Sequence, residues 1–424
     1  MRAANRYWLL GLLLVVYAVV EIQHVYVTPF PTGPDERAHL AYIESIALRG
    51  ELPAMGESVR TSGERIVTPE AQHPPLYHLL AAPVYRLFIG RGEHAAWVAL
   101  RLFSALLGLV FVILCWLAAR ELPAGPLVRY GVPSFVALLP AFNYETSTTN
   151  NDALAVALSG LIFLAIIRLL AKPPAAKHFL LLGVALGLAA LTRPTTLTWW
   201  PAALLALYFV SRRPEWSRPR AARRVALVIL PFVVIVGWWW ARSVLLYGTP
   251  IPRVDFRPAM QFGELPTAQH FIYLGFLAEQ AIVNFYLPYF IFRELTPIAP
   301  LLWLVSALTA ISVAGFVVRR VLRRAPLAPT TREAAWCSLA VFLACLLSIT
   351  QQAFFVDWTM FLIPGRYLLN ALPAAALLFW LGVDGLTDRP AKRWTVPAMA
   401  ALLLGLNLFA LSSISRFYAL HPPG

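Results

Sequence analysis

Three short stretches of this chain carry side chains suited to moving protons and holding anions. The first is Pro34, Asp35 and Glu36, with His39 four residues beyond Asp35; the second is Glu70, His73, Pro74, Pro75, Leu76 and Tyr77; the third is Asn150, Asn151 and Asp152. A carboxylate poised beside a hydroxyl can take its proton, which is the elementary act of general base catalysis. Carboxylates also suit a divalent cation, and the sequence leaves any metal unassigned. Arg193, Arg242 and Arg366 add planar guanidinium forks, whose paired N–H groups match two phosphate oxygens. Each feature has a plainer account beside it. Acids favour helix N-termini, Asn and Asp cap helices, and an arginine near a membrane surface often does no more than reach the head groups.

The elements that position these residues must be read through composition. Hydrophobic residues make up 59% of the 424 and charged residues 13%, and the mean hydropathy is +0.67. Such a chain uses lipid as solvent. Eleven candidate spans emerge, near 7 to 27, 95 to 119, 130 to 145, 152 to 171, 178 to 192, 196 to 210, 225 to 246, 298 to 318, 334 to 352, 367 to 386 and 395 to 414. Several approach the ~20 apolar residues that a bilayer requires. The first follows Arg2 and Arg6 like a signal peptide but runs into Glu21, His24 and Tyr26 without a small-residue cleavage site, so it is expected to stay as an anchor.

Charge fixes the orientation. With the N-terminus inside, the cytoplasmic loops collect 21 of the 35 Lys and Arg residues, among them Arg120, Arg168, Lys172, Arg213, Arg224 and Arg319. Only Glu121, Glu215, Glu333, Asp384 and Asp388 join them, so the net charge of +14 is a topology signal of the positive-inside kind. A nucleic-acid footprint would need a soluble basic surface. All three chemistry-bearing stretches then face outward. Cys115, Cys337 and Cys345 fall within spans without metal-ligand spacing and read as packing residues.

Two outer segments are substantial, 28 to 94 and 247 to 297, and the whole chain reads as one integral membrane domain capped by them. From Pro34 to Gly50, Leu40, Ile43 and Ala47 recur at helical spacing, which predicts an amphipathic helix on the outer surface. Asp35 and His39 then share a face. Trp199, Trp200, Trp238, Trp239, Trp240 and Trp358 sit at the outer level, where most are expected to form an aromatic belt. Neither a phosphate loop nor a dinucleotide fingerprint occurs.

The motifs PDERAHLAY, EAQHPPLYHLL, the NND that opens a span, ALTRPT, WWWARSVLLYGTP and PGRYLLNALP, in that order, resemble the GT-C fold glycosyltransferases. The likeness is to bacterial enzymes similar to protein O-mannosyltransferases and aminoarabinose transferases, and it spans residues 7 to about 375. It implies an all-α polytopic membrane protein, a GT-C-like bundle of about 11 transmembrane helices with amphipathic helices in a large first outer loop. It also maps the family's catalytic base onto Asp35, with Glu36 adjacent, and its second-loop acid, which shapes the site or helps hold a metal, onto Asp152. His39, Glu70, His73, Tyr77, Asn151, Arg193, Arg242 and Arg366 would join Asp152 in binding substrate. The sequence departs from the pattern at His73, where aminoarabinose transferases often have Lys, and it stops at Gly424 soon after its last span, where many relatives carry an outer domain.

Nucleotide sugars are made in the cytoplasm, so an outward site calls for a polyprenyl-phosphate-linked sugar as donor, with an extracytoplasmic glycan, lipid or protein as acceptor. The expected setting is a bacterial plasma membrane, with membrane lipid around the chain and no nucleic-acid partner. Two other classes compete: a transporter or lipid flippase, which should carry ionisable residues deep within spans, and a non-catalytic assembly partner, which would tolerate loss of Asp35.

Overall fold

The computed structural model describes residues 4–61, 64–67, 69–214, 218–252, 275, 278–279, 281–288, 299–319, 326–355, 365–387 and 389–422. Most of the outer segment 247 to 297, Trp358 and several of the basic inner-loop residues lie outside them.

The described chain is a helical bundle with one small hairpin. Its helices are α1 (Ala4–Val27), α2 (Glu36–Glu44), α3 (Leu76–Ile89), α4 (Glu93–Glu121), α5 (Pro126–Ala137), α6 (Pro140–Thr146), α7 (Asp152–Ala171), α8 (Ala176–Ala190), α9 (Trp200–Ser211), α10 (Arg218–Tyr247), α11 (Ala299–Val317), α12 (Pro329–Phe355), α13 (Leu372–Leu386) and α14 (Arg389–Leu420). Among the described residues seven segments are long and apolar enough to cross a membrane: 7–27, 93–121, 152–171, 221–247, 329–350, 366–386 and 391–420. Of the other four expected spans, 298 to 318 coincides with the 19-residue helix α11 and the remaining three with shorter or broken helices.

Proline explains two of the breaks. The apolar run 130 to 145 is not one helix, because Pro140 opens α6 and holds the preceding Leu139 extended (φ −76, ψ 116). The run 196 to 210 divides into a 3-10 turn, Pro194–Trp199, and α9, with prolines at the start of each. Hydropathy has no term for this and reads through both.

Burial separates the centre of the bundle from its rim. The span 152–171 is 89% buried within the protein and 366–386 is 83%, against 28% for 7–27, 221–247 and 391–420. A helix apolar on every face belongs in such a position. The two central segments begin with Asp152 and Arg366, so the core of the fold delivers both to one end of the molecule. Trp199 is also buried, donating from Nε1 to Ser159 Oγ and to the Asn370 carbonyl, each at 3.1 Å. Trp239 is buried too, which takes both out of the expected lipid-facing belt. The three cysteines are buried and unpaired.

In the first outer loop α2 continues into a π-helical turn, Ser45–Arg49, that ends at Gly50 with φ 73. Only a residue without Cβ takes that conformation at no cost. Strands β1 (Ser58–Thr61) and β2 (Glu64–Val67) pair antiparallel, Ser58 opposite Val67 and Thr61 opposite Glu64. The architecture is all-helical as expected, with this hairpin a small addition; four residues a strand is too short for an alternating pattern to stand out.

Candidate active site

Glu36, expected beside Asp35 in catalysis, is fully engaged. Arg101 donates from Nε to Oε1 at 2.7 Å and from Nη2 to Oε2 at 2.6 Å, while the backbone N–H groups of Gly33 and Thr149 each donate at 3.0 Å. Arg101 spends its remaining N–H groups on the carbonyls of Val25 (2.8 Å), Thr28 (2.7 Å) and Pro29 (3.1 Å), with Phe30 against its flat face at 3.6 Å. One buried ion pair therefore ties together the end of α1, the start of the outer loop, α4 and the polar run before α7. A carboxylate with four donors has no lone pair left for a substrate, and its role here is to position its neighbour.

Gly33 shows how tight this joint is. A Cβ there would lie 2.8 Å from Thr148 Cγ2 and 2.9 Å from Glu36 Oε2. Gly33→Ala should therefore displace the loop at a cost of about 1–3 kcal/mol; a thermal melt unchanged from wild type would refute this packing.

Asp35 differs from Glu36 in every respect. Its backbone is left-handed (φ 55), its side chain makes no capping bond to α2, and the carboxylate points away to accept from Arg366 Nη2 at 2.6 Å. Its place at the head of α2 suits an acid, but the side-chain contact it makes is with Arg366. Partial burial works to raise its pKa, but the Arg366 guanidinium, with Arg193 and His73 behind it, outweighs that and holds the carboxyl below its ordinary range. Asp35 is thus ionised at neutral pH. The stability its ion pair adds is present above the unfolded value near 3.8 and is lost as pH falls below it.

At the head of α7 the two readings of the Asn-Asn-Asp run divide by residue. Asn150 Oδ1 caps the helix, accepting from the Ala153 N–H at 3.2 Å. Asn151 and Asp152 are left to grip Arg193: Asn151 Oδ1 accepts at 3.2 Å, and Asp152 forms an ion pair with the same Nη1. Arg193 and Arg366 flank one ring, Tyr367, at 4.9 and 5.5 Å from its centroid. Neither arginine merely reaches for head groups.

The second stretch forms the adjoining wall. His73 Nε2 meets Glu70 Oε2 at 2.6 Å, and although burial opposes it, the imidazole charge lowers Glu70 to about 2. His39 Nδ1 lies 3.0 Å from His78 Nε2, and His78 stacks on Tyr42 with centroids 3.9 Å apart. Burial keeps His39 well below its usual range, so this pair is neutral and one ring donates to the other. Tyr77 is buried against α4, its hydroxyl 2.8 Å from Ser104 Oγ. Arg242 stands apart: it donates to the carbonyls of Leu52 (3.1 Å) and Pro53 (3.3 Å) and lies 4.9 Å from the Trp239 ring, bracing the segment after α2.

Sequence reading missed three members: Arg101, hidden in an apolar helix; His78, one position past Tyr77; and Glu145, inside the polar run before Asn150. Glu145 is buried and feels Arg366, Asp152, Arg193 and Asp35. Burial and the two aspartates push it up to about 7 against the pull of the arginines. Unlike Asp35, Glu70 and Asp152, it has no ion-pair partner within salt-bridge distance among the described residues; its contact is the Asn150 amide at 3.5 Å. A raised carboxyl pKa stabilises the fold below the unfolded value near 4.5, a contribution lost as pH rises through about 7. An infrared component from a protonated buried carboxyl should fade around pH 7 and be missing in Glu145→Gln, whatever other buried carboxyls add to the band. A band that ignores that substitution would reassign the titration.

No three His, Cys, Asp or Glu side chains among the described residues are grouped to hold a metal ion. Beyond the site, a mainly apolar cavity of about 1160 Å³ lies among α5, α11, α12 and α13, lined by residues including Phe135, Tyr286, Phe316, Leu339, Leu368 and Phe379. Leu368 shares the 3-10 turn Gly365–Ala371 with Arg366, so the cavity and the charged cluster meet at one short element.

The family model described as dolichyl-phosphate-mannose-protein mannosyltransferase matches residues 72–239, a stretch that holds His73, Tyr77, Asn151, Asp152 and Arg193. The whole chain superposes on the crystal structure of ArnT from Cupriavidus metallidurans in the apo state, with a TM-score of 0.58 at 15% identity over 97% of this chain and 74% of that one. It is similarly alike to ArnT of the same organism bound to undecaprenyl phosphate (TM-score 0.54, 17% identity, 98% and 74% covered). No curated protein matches by sequence. At such identities the likeness speaks to fold.

Proposed function

We propose that this chain, which has the GT-C fold of membrane glycosyltransferases, moves a sugar from a polyprenyl-phosphate donor to an acceptor hydroxyl on the outer side of the membrane, with inversion. The observation that carries this reading is the convergence of Asp35, Asp152, Arg193, Arg366 and the Glu70–His73 pair, from four separate parts of the chain, beside an apolar cavity. Carboxylate and guanidinium at head-group level suit a phosphate-linked substrate with a greasy tail. At about 1160 Å³ the cavity exceeds the roughly 300–1,000 Å³ of ordinary small-molecule pockets, as a long apolar chain requires. The undecaprenyl phosphate bound to ArnT points to the same class of donor.

In the proposed step the acceptor O–H gives its proton to Asp35 while its oxygen attacks the anomeric carbon. The bond from that carbon to the phosphate oxygen breaks, its electron pair stays with the oxygen, and polyprenyl phosphate leaves. Phosphate departs without a strong acid catalyst, so one base suffices and the leaving charge is met by Arg366 and Arg193. Attack from the face opposite the phosphate inverts the centre. Asp152 and Asn151 hold Arg193 in place; Glu36 and Arg101 hold the backbone that presents Asp35.

The test is transfer in proteoliposomes supplied with labelled polyprenyl-phosphate sugars, or separately with nucleotide sugars, plus envelope acceptors. Label should pass to acceptor from the lipid donors alone. Transfer from nucleotide sugars would overturn the donor class, and movement of intact donor across the bilayer without bond cleavage would favour the flippase reading.

A further inference from the structure

Asp35 presents a contradiction if it is a base. Its Oδ2 accepts from Arg366 Nη2 at 2.6 Å, and a guanidinium this close lowers the affinity of the carboxylate for a proton. Arg366 differs from the other arginines of the site in how it is held. Arg101 is saturated by Glu36 and three carbonyls. Arg193 is gripped by Asn151 and Asp152, its side chain 6% exposed. The Arg366–Asp35 pair lies on the open side of the cluster, with the two side chains 18% and 46% exposed. The Nε of Arg366, like that of Arg193, is buried with no hydrogen-bond partner among the described residues, so the guanidinium has unspent donor capacity, and what sets Arg366 apart is its single carboxylate partner on the open side. Its backbone is fixed nearby: Asn370 of the same 3-10 turn donates to Thr195 Oγ1 at 3.0 Å and accepts from Trp199 at 3.1 Å. A fixed root with an under-used fork is the arrangement of a side chain that can change partner.

We propose that Arg366 is shared in turn between Asp35 and the donor phosphate: it holds the carboxylate at rest, passes to the phosphate when the donor binds, and thereby uncovers the base only once a sugar is in place. This rests on the lipid-phosphate reading above. The phosphate is the stronger claimant because it offers more charge and a bidentate edge to the fork. Once it has taken the guanidinium, Asp35 loses its nearest cation and gains affinity for a proton at the moment the acceptor must surrender one. An acceptor, or water, entering before the donor would meet a base weakened by its guanidinium partner, so the same contact also favours binding of the donor first. Arg193 stays with Asp152 throughout and serves as the constant part of the phosphate site.

The consequence is competition: Asp35 should weaken phosphate binding even though it is needed for transfer. The experiment measures affinity for polyprenyl phosphate in nanodiscs for wild type, Asp35→Asn, Arg366→Gln and the double variant, with thermal melts confirming each fold. Asp35→Asn should bind about tenfold tighter, a coupling within the range usual for linked sites. Arg366→Gln should bind more weakly, and adding Asp35→Asn to it should change nothing further. Equal tightening in both backgrounds would mean simple repulsion between two anions and would overturn the shared guanidinium, as would no tightening at all. Should Arg366→Gln fail to fold, Arg366→Lys replaces it, and there the gain from Asp35→Asn should shrink. Wild type that is folded yet binds no polyprenyl phosphate would sink the donor reading itself, a result separate from binding without coupling.

Discussion

Asp35→Asn should lower transfer by about 10²–10⁴-fold, the usual weight of a positioned general base. Asn keeps the volume, and its amide oxygen can still accept from Arg366, so the fold and the 2.6 Å contact have no reason to collapse. The loss should appear in turnover and not as a weaker grip on the donor. Initial rates at saturating donor, in protein whose melting temperature matches wild type, are the measurement. A variant that transfers at the wild-type rate would remove Asp35 from the chemistry and leave the fold with no assigned base.

The second large effect is structural. Removing one partner of the Glu36–Arg101 pair, whose side chains are 1% and 0% exposed, should destabilise the protein by about 3–5 kcal/mol, because it strands a buried charge. Arg101→Met should be the worse variant, since it also orphans the carbonyls of Val25, Thr28 and Pro29. Combining it with Glu36→Gln should recover part of the loss by removing the stranded charge. Thermal melts, with proteolysis of the first outer loop, read both effects. Single variants as stable as wild type would show that the pair is not the joint it resembles. Transfer should fall with stability, because Asp35 is the neighbour of Glu36 and is presented by the same turn.

This pair marks the limit of what composition and motif could say. In sequence, Glu36 looks like a twin of Asp35 and Arg101 like a stray charge near the end of a span. In space, the left-handed backbone at Asp35 sends the two acids in opposite directions, one to the open site and one into the protein. Adjacent residues of the same chemistry thus acquire different partners, Arg366 for Asp35 and Arg101 for Glu36. The arginines divide in the same manner: Arg193 and Arg366 converge on Tyr367, whereas Arg242 braces the loop after α2. Placement at the ends of spans was readable from charge and hydropathy, while the choice of partner was not.

What the sequence determined by itself was the medium and the neighbourhood. Apolar runs depend on single residues and their order, so they survive without coordinates, and they led to a helical membrane protein; the bias of Lys and Arg adds the expectation that its acids face outward. The helix over Pro34 to Gly50 was legible for the same local reason. Tertiary structure alone decided which helices lie at the centre, which acid meets which arginine, and that Glu145 joins the acids without an arginine within salt-bridge distance among the described residues. Those outcomes depend on contacts between residues tens to hundreds of positions apart, such as Asp35 with Arg366. Such pairings are set by how helices pack, and a pattern read along one chain carries no term for that distance.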